Sequence, residues 1–277
     1  MEVTSNRKNR AEKSIIDVAP SEIPGEAQHK ELIAMESTTK KQPEKPVGDI
    51  VFLDTPGVGQ RGGVIVKDIK LSIKDGEFVY LIGKTGSGKS TLLRVLYGDV
   101  SLTAGVGRVA GFDLRRLDED TIPFLRRRLG IVFQDFQLLS DRNVYQNLAF
   151  VLRSTGWKDE DKIKQRILEV LKNVGMEGTQ DKFTYQMSGG EQQRIAIARA
   201  LLNDPEIIIA DEPTGNLDPN TSAEILRLLL DINQRHGTAV VMATHDYTMI
   251  LKFPARTVKI DGGTLHEVQK KEKEKEQ

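Results

Sequence analysis

Eight consecutive residues limit what this chain can fold into. Gly83-Lys84-Thr85-Gly86-Ser87-Gly88-Lys89-Ser90 fits the pattern G-x-x-x-x-G-K-[ST]. It lies between a short apolar run, residues 78–82, and a helical pattern marked by Leu92, Leu93 and Leu96. A glycine-rich turn between a buried strand and a helix directs backbone N–H groups inward, forming a nest for phosphate oxygens. The N-terminus of the following helix adds partial positive charge. In such a loop Lys89 reaches the β- and γ-phosphates of a nucleotide, and the Ser90 hydroxyl can ligate Mg2+. A merely flexible glycine turn would not require the strand and helix on either side. The expectation is a nucleoside triphosphate site built from residues 83–90 and the adjoining Thr91.

Composition narrows the alternatives. Among 277 residues, 40 are Lys or Arg and 40 are Asp or Glu, so the chain lacks the basic excess of a nucleic-acid-binding domain and no nucleic-acid partner is expected. Cysteine is absent, which removes disulfides, thiolate metal sites and a cysteine nucleophile. No apolar run reaches the length of a membrane span, and the first residues lack the apolar core of a secretory signal, so a cytoplasmic location is expected. Residues 1–48 mix Lys, Glu, Ser, Pro and Gln with isolated apolar residues and read as a disordered extension. Residues 269–277 read as a solvated charged tail.

Between these ends, strand and helix patterns alternate over residues 49–268. Strands are expected at 50–53, 64–73, 78–82, 129–133, 207–210 and 240–243. A helical period links Ile163, Ile167, Val170, Leu171 and Val174, with Gly175 as its C-terminal cap. A capping box, Thr221 to Glu224, is expected to open a helix bearing Ile225, Leu228, Leu229 and Ile232. Asp261-Gly262-Gly263 between two alternating runs is a hairpin pattern. The alternation predicts an α/β layer fold with a largely parallel sheet, and residues 136–203 read as a helical insertion.

The apolar run Ile207-Ile208-Ile209-Ala210 ends in Asp211 and Glu212. Ligands of parallel sheets bind outside the carboxyl ends of the strands, so these carboxylates face the phosphate loop. Asp211 is expected to hold Mg2+ through water or the Ser90 shell, and Glu212 to orient and polarise the attacking water.

Ser188-Gly189-Gly190-Glu191-Gln192-Gln193-Arg194 opens a further helix. Together with the two phosphate motifs it resembles the nucleotide-binding subunit of ATP-binding cassette (ABC) transporters. That resemblance implies a P-loop NTPase core with a largely parallel sheet, an antiparallel β subdomain and a helical subdomain over about 136–203. It implies ATP as ligand, and a homodimer in which Ser188, Gly189, Gly190 and Glu191 cap the nucleotide held by the other copy. It gives Gln134 a contact to Mg2+ and water, Asp218 a role in communication between the two sites, and His245 a contact to the γ-phosphate. The family also carries an aromatic residue that stacks on adenine, in a loop matching residues 54–63; no aromatic is present there. Comparable affinities for ATP and GTP are therefore expected.

A finer resemblance, over roughly residues 49–268, is to the bacterial cell-division branch of the family. It rests on residues 130–144, 210–218 and 242–246, with Asp141-Arg142 as the most specific pair. It implies an integral membrane partner, with Phe136, Leu138, Leu139 and Tyr145 as candidate contacts, and possible contacts with other division proteins. It also implies a location on the cytoplasmic face of the inner membrane. The alternative branch contains lipoprotein-releasing and macrolide-export ATPases.

Overall fold

The computed structural model describes residues 48–60 and 63–268. Residues 1–47 of the expected extension and the tail at 269–277 lie outside the described residues.

The described residues open with a long antiparallel hairpin, β1 (Asp49–Gln60) and β2 (Gly63–Lys74). Strand β3 (Phe78–Ile82) leads through the glycine-rich loop into α1 (Lys89–Leu96). Two short strands, β4 (Val106–Val109) and β5 (Phe112–Asp113), extend the hairpin on the far side of β1. Helix α2 (Ile122–Arg127) precedes β6 (Leu129–Val132). Three helices follow, α3 (Val144–Ser154), α4 (Glu160–Asn173) and α5 (Gly189–Leu201). The rest alternates as β7 (Ile207–Asp211), α6 (Pro219–His236), β8 (Ala239–Thr244), α7 (Tyr247–Lys252), β9 (Arg256–Asp261) and β10 (Thr264–Glu267). The described strands join in one sheet, ordered β5-β4-β1-β2-β10-β9-β3-β8-β7-β6. Its β9-β3-β8-β7-β6 portion is wholly parallel.

The parallel strands are covered on both faces, which explains their unbroken apolar runs. Phe78, Tyr80 and Ile82 of β3 face α3–α6, while the intervening Val79 and Leu81 face α1 and the antiparallel hairpin. Strands β7 and β8 divide in the same way: Ile208, Val240 and Met242 lie on the first face and Ile207, Ile209 and Val241 on the second.

Register then assembles one functional edge. Ile82 pairs with Thr244, Asp211 with Ala243, and Val132 with Ala210. The residues just past these pairs are the glycine-rich loop, His245, Glu212 and Gln134, so four strand ends deliver them side by side.

Two local expectations need correction. Most of the segment expected as a loop, 54–63, is strand: β1 runs to Gln60 because its backbone pairs with β2 along its length. Pro56 is tolerated because β4 pairs with β1 only over residues 51–54, leaving an edge beyond. Helix α6 opens at Pro219, ahead of the expected box at Thr221. Asp218 is its N-cap, accepting from the N–H groups of Asn220 and Thr221 at 3.0 and 3.1 Å. A proline in the first turn needs no N–H partner, so the earlier start leaves no donor unmatched.

Gly130 fixes the seat of α5 on the sheet. A β-carbon there would lie 2.8 Å from the Ala200 carbonyl oxygen and 3.1 Å from the Ala200 β-carbon. Gly130→Ala should therefore cost about 1–3 kcal/mol by overpacking. Thermal unfolding should show a melting temperature lowered by roughly 3–10 °C; an unchanged melting temperature would mean that α5 does not rest on β6.

Candidate active site

The loop between β3 and α1 wraps the amine of its own lysine. Lys89 is 4% exposed, and its Nζ donates to the carbonyl oxygens of Gly83 (3.0 Å) and Lys84 (3.4 Å). Gly88 is the N-cap of α1 at φ +104°, a conformation that strongly favours glycine. Lys84, Thr85, Gly86 and Ser90 are exposed, while Ser87, Gly88 and Thr91 are half-buried. The Ser87 hydroxyl oxygen is buried and has no partner among the described residues, which suits a loop shaped for phosphate oxygens.

Glu212 joins this loop to its neighbours. Its Oε1 lies 3.3 Å from Lys89 Nζ and its Oε2 lies 2.9 Å from His245 Nδ1. Its backbone stands at φ +47°, unusual for a residue with a side chain, and its N–H donates to the Ala243 carbonyl at 3.0 Å. A strained backbone at the end of a buried strand is the kind of geometry that surrounding structure must hold in place. His245 is half-exposed, and the Asp246 N–H donates to Thr244 Oγ1 at 3.0 Å, bending the chain away after β8.

Asp211 lies at the end of β7. Burial pushes its carboxyl above the ordinary aspartate range, and the Glu212 charge pushes the same way. A hydrogen bond with Ser90 and the charge of Lys89 oppose these effects. Its Oδ1 is buried without a partner among the described residues. Among the described residues no cluster of three or more His, Cys, Asp or Glu could hold a metal. This donor set fits Mg2+, which keeps several waters and takes few protein ligands plus substrate phosphates. Ser90 and Asp211 would hold the ion, with Gln134 nearby in the chain of strand ends.

The remaining candidates lie elsewhere. Ser188 caps α5: its Oγ accepts from Glu191 N–H (3.2 Å), and Glu191 Oε2 accepts from Ser188 N–H (2.8 Å). That backbone hydrogen bond holds the Glu191 carboxyl below the usual range. Positions for β-carbons on Gly189 and Gly190 meet Leu217 and Thr221 respectively. No hydrogen bond or ion pair among the described residues joins residues 188–191 to residues 83–91. Asp218 is also engaged locally, and hydrogen bonds from Thr221 hold its carboxyl low.

Three contacts escaped the sequence. Asn216 pairs with Gln134, 82 residues upstream. Arg199 of α5 donates to the carbonyls of Phe136 (2.9 Å) and Gln137, both at positive φ, tying the tip-bearing helix to the segment after Gln134. Ile65 and Val66 bring Cγ2 atoms within 2.9 and 2.4 Å of where a Gly88 β-carbon would stand, so the hairpin meets the phosphate loop with aliphatic surface. None of the three is a local pattern; the charge of Arg199 and the turn composition around Asn216 are the only hints.

The ABC transporter family model matches residues 66–215, more than half of the chain. The chain belongs to the ABC transporter family. Over 204 residues it is 44% identical to the cell division ATP-binding protein FtsE of Streptococcus pneumoniae serotype 2, covering 74% of this chain and 88% of that protein. It is 48% identical to FtsE of Mycobacterium tuberculosis over 198 residues, covering 72% and 85%. A solved ATP-binding cassette, dimeric and bound to ADP and Pi after hydrolysis, aligns with a TM-score of 0.70 at 34% identity, over 79% of this chain and 98% of that one. As a member of the ABC family the chain is an ATPase with a P-loop core. Among the described residues no helix is long and apolar enough to cross a membrane.

Asp211 offers a test with a defined sign. Its carboxyl holds a proton more tightly in the folded chain than in the unfolded one. Folding stability therefore falls as pH rises from the ordinary aspartate value through the raised folded value. Above that window the penalty is complete. Asp211→Asn should melt higher than wild type at pH 8 without nucleotide, on the order of 2–4 °C for about 1 kcal/mol. The gap should narrow as pH falls through the window, and Mg2+-dependent hydrolysis should be lost. A variant that melts lower at pH 8 would contradict the burial argument.

Proposed function

We propose that this chain is the ATP-hydrolysing subunit of a membrane complex of the FtsE kind, working as a homodimer beneath an integral membrane FtsX-like partner. The observation that carries the chemistry is the meeting of Lys89, Asp211, Glu212 and His245 at adjoining strand ends. In this reading the loop at 83–91 holds the phosphates of ATP, with Lys89 on the β- and γ-oxygens. Ser90, Asp211 and Gln134 would hold Mg2+, which when bound would supply charge compensation on the phosphates. Glu212 accepts a proton from the attacking water, and His245 donates to the γ-phosphate while fixing the Glu212 carboxylate.

Ser188, Gly189, Gly190 and Glu191 act on the other copy's nucleotide, for which the exposed N-terminus of α5 is suited. Asp218, in this reading, serves communication between the two sites of the dimer. The relatives named above favour the cell-division branch over the lipoprotein-releasing and macrolide-export branch. In the cell-division branch the output is control of cell-wall hydrolysis, with other division proteins as possible contacts. The cytoplasmic face of the inner membrane then follows from the partner. Leu139 and Phe150 are exposed on the helical side, with Arg142 packed 4.6 Å over the Phe150 ring, and this side is suited to a membrane subunit. ATP can drive such a partner only by binding the closed dimer better than the open one.

Glu212→Gln should keep ATP binding and reduce the hydrolysis rate by about 10²–10⁴, the usual worth of a positioned base. Wild-type turnover in this variant would remove Glu212 from the mechanism. Affinity purification from detergent-solubilised membranes should recover an integral membrane protein whose depletion blocks division. Recovery of ribosomes or nucleic acid alone would contradict the membrane reading.

A further inference from the structure

The side-chain amide of Gln134 has two ends of similar size and opposite chemistry: Oε1 can accept or ligate, Nε2 can only donate. Which end is left free depends on what grips the other. Asn216 supplies that grip through two linked hydrogen bonds. Its Nδ2 donates to the main-chain carbonyl of Gln134 at 3.2 Å. A carbonyl oxygen only accepts, so this bond fixes which way the Asn216 amide faces. Asn216 Oδ1 is thereby directed at the Gln134 side chain, and an acceptor there can be met only by Nε2. The Gln134 Nε2 does donate to Asn216 Oδ1, at 3.3 Å. The two constraints act in series and leave Oε1 as the free end.

The backbone closes the clamp. A β-carbon on Gly215 would lie 2.9 Å from Gln134 Nε2 and 3.2 Å from its Cδ, so only glycine lets the turn press so closely on the amide. The Gly215 N–H donates to the Glu212 carbonyl at 3.0 Å. The clamp on Gln134 is thus part of the same turn that carries Glu212.

We propose that Asn216 is a positioning residue for hydrolysis: it holds the Gln134 amide with Oε1 free for the metal and the attacking water. Gln134 is thereby kept in step with the turn after Glu212. This rests on the reading that Gln134 serves the metal and water. Asn216 reaches neither itself and acts only through Gln134. Both side chains are exposed, so water competes for each bond and the effect belongs at the low end of what outer partners of metal ligands contribute.

The test uses the full chain carrying Glu212→Gln, loaded with ATP, and Mn2+ as a spectroscopic probe titrated by electron paramagnetic resonance. Asn216→Ala should weaken Mn2+ binding about ten-fold, with ATP affinity measured without metal left unchanged. Gln134→Ala should weaken Mn2+ at least as much, and adding Asn216→Ala to it should have no further effect. Additive losses would mean that Asn216 acts by another route and would overturn the proposal. So would unchanged Mn2+ affinity in Asn216→Ala when Gln134→Ala is impaired, although the role of Gln134 would then stand. Normal Mn2+ binding in Gln134→Ala would remove the Gln134 reading itself and this proposal with it.

Discussion

A buried ammonium group must have partners, and the way Lys89 finds them organises the site. Two loop carbonyls and the Glu212 carboxylate surround its Nζ. Without them a charge this deeply buried would be costly. Glu212 is thus a partner of Lys89. Phosphate can take over that partnership, leaving Glu212 with His245 and free to receive a water proton. The carboxylate that neutralises Lys89 is therefore the one proposed to receive the proton of the attacking water.

That arrangement is one-sided. The phosphate loop, Asp211, Glu212 and His245 lie at adjoining strand ends, whereas the Ser188 cap makes its hydrogen bonds within its own helix. The cap is nonetheless mechanically tied to the rest. Arg199, on the same helix, holds the carbonyls of Phe136 and Gln137. Asn216 holds Gln134, and the glycine beside it is bonded to Glu212. Together these contacts run from the last turn of α5, through the segment after Gln134, to the turn that carries Glu212. Movement of the helical side would thus have a route to Glu212 through hydrogen bonds and glycine contacts.

Features that depend on local chemistry were legible in the sequence. The phosphate loop, the two-sided strands and the hairpin at Gly262 and Gly263 follow from residues adjacent to one another. Features that depend on pairing were not. Pro56, Gly57 and Gly59 read as loop, and only the antiparallel register with β2 makes them strand. Strands β4 and β5 are four and two residues long, too short to show a period. The start of α6 turned on whether Asp218 or Thr221 caps it, and the proline between them decides for Asp218. In the site, residue types pointed to Lys89, Asp211 and Glu212, and the family resemblance pointed to His245. No pattern along the chain could pair Asn216 with Gln134 or Arg199 with Phe136, because those partnerships exist only after the strands align.

In the proposed dimer one chain supplies only part of each hydrolytic site and a second copy completes it. The most direct measurement mixes two inactive variants: Lys89→Ala, which cannot hold the phosphates, and Ser188→Arg, which blocks the cap. Each should be inactive alone, and the mixture should recover ATP hydrolysis, because one pairing joins an intact phosphate loop to an intact cap. If Ser188→Arg alone hydrolysed ATP at the wild-type rate, the cap of one copy would play no part in the site of another, and the account would be wrong.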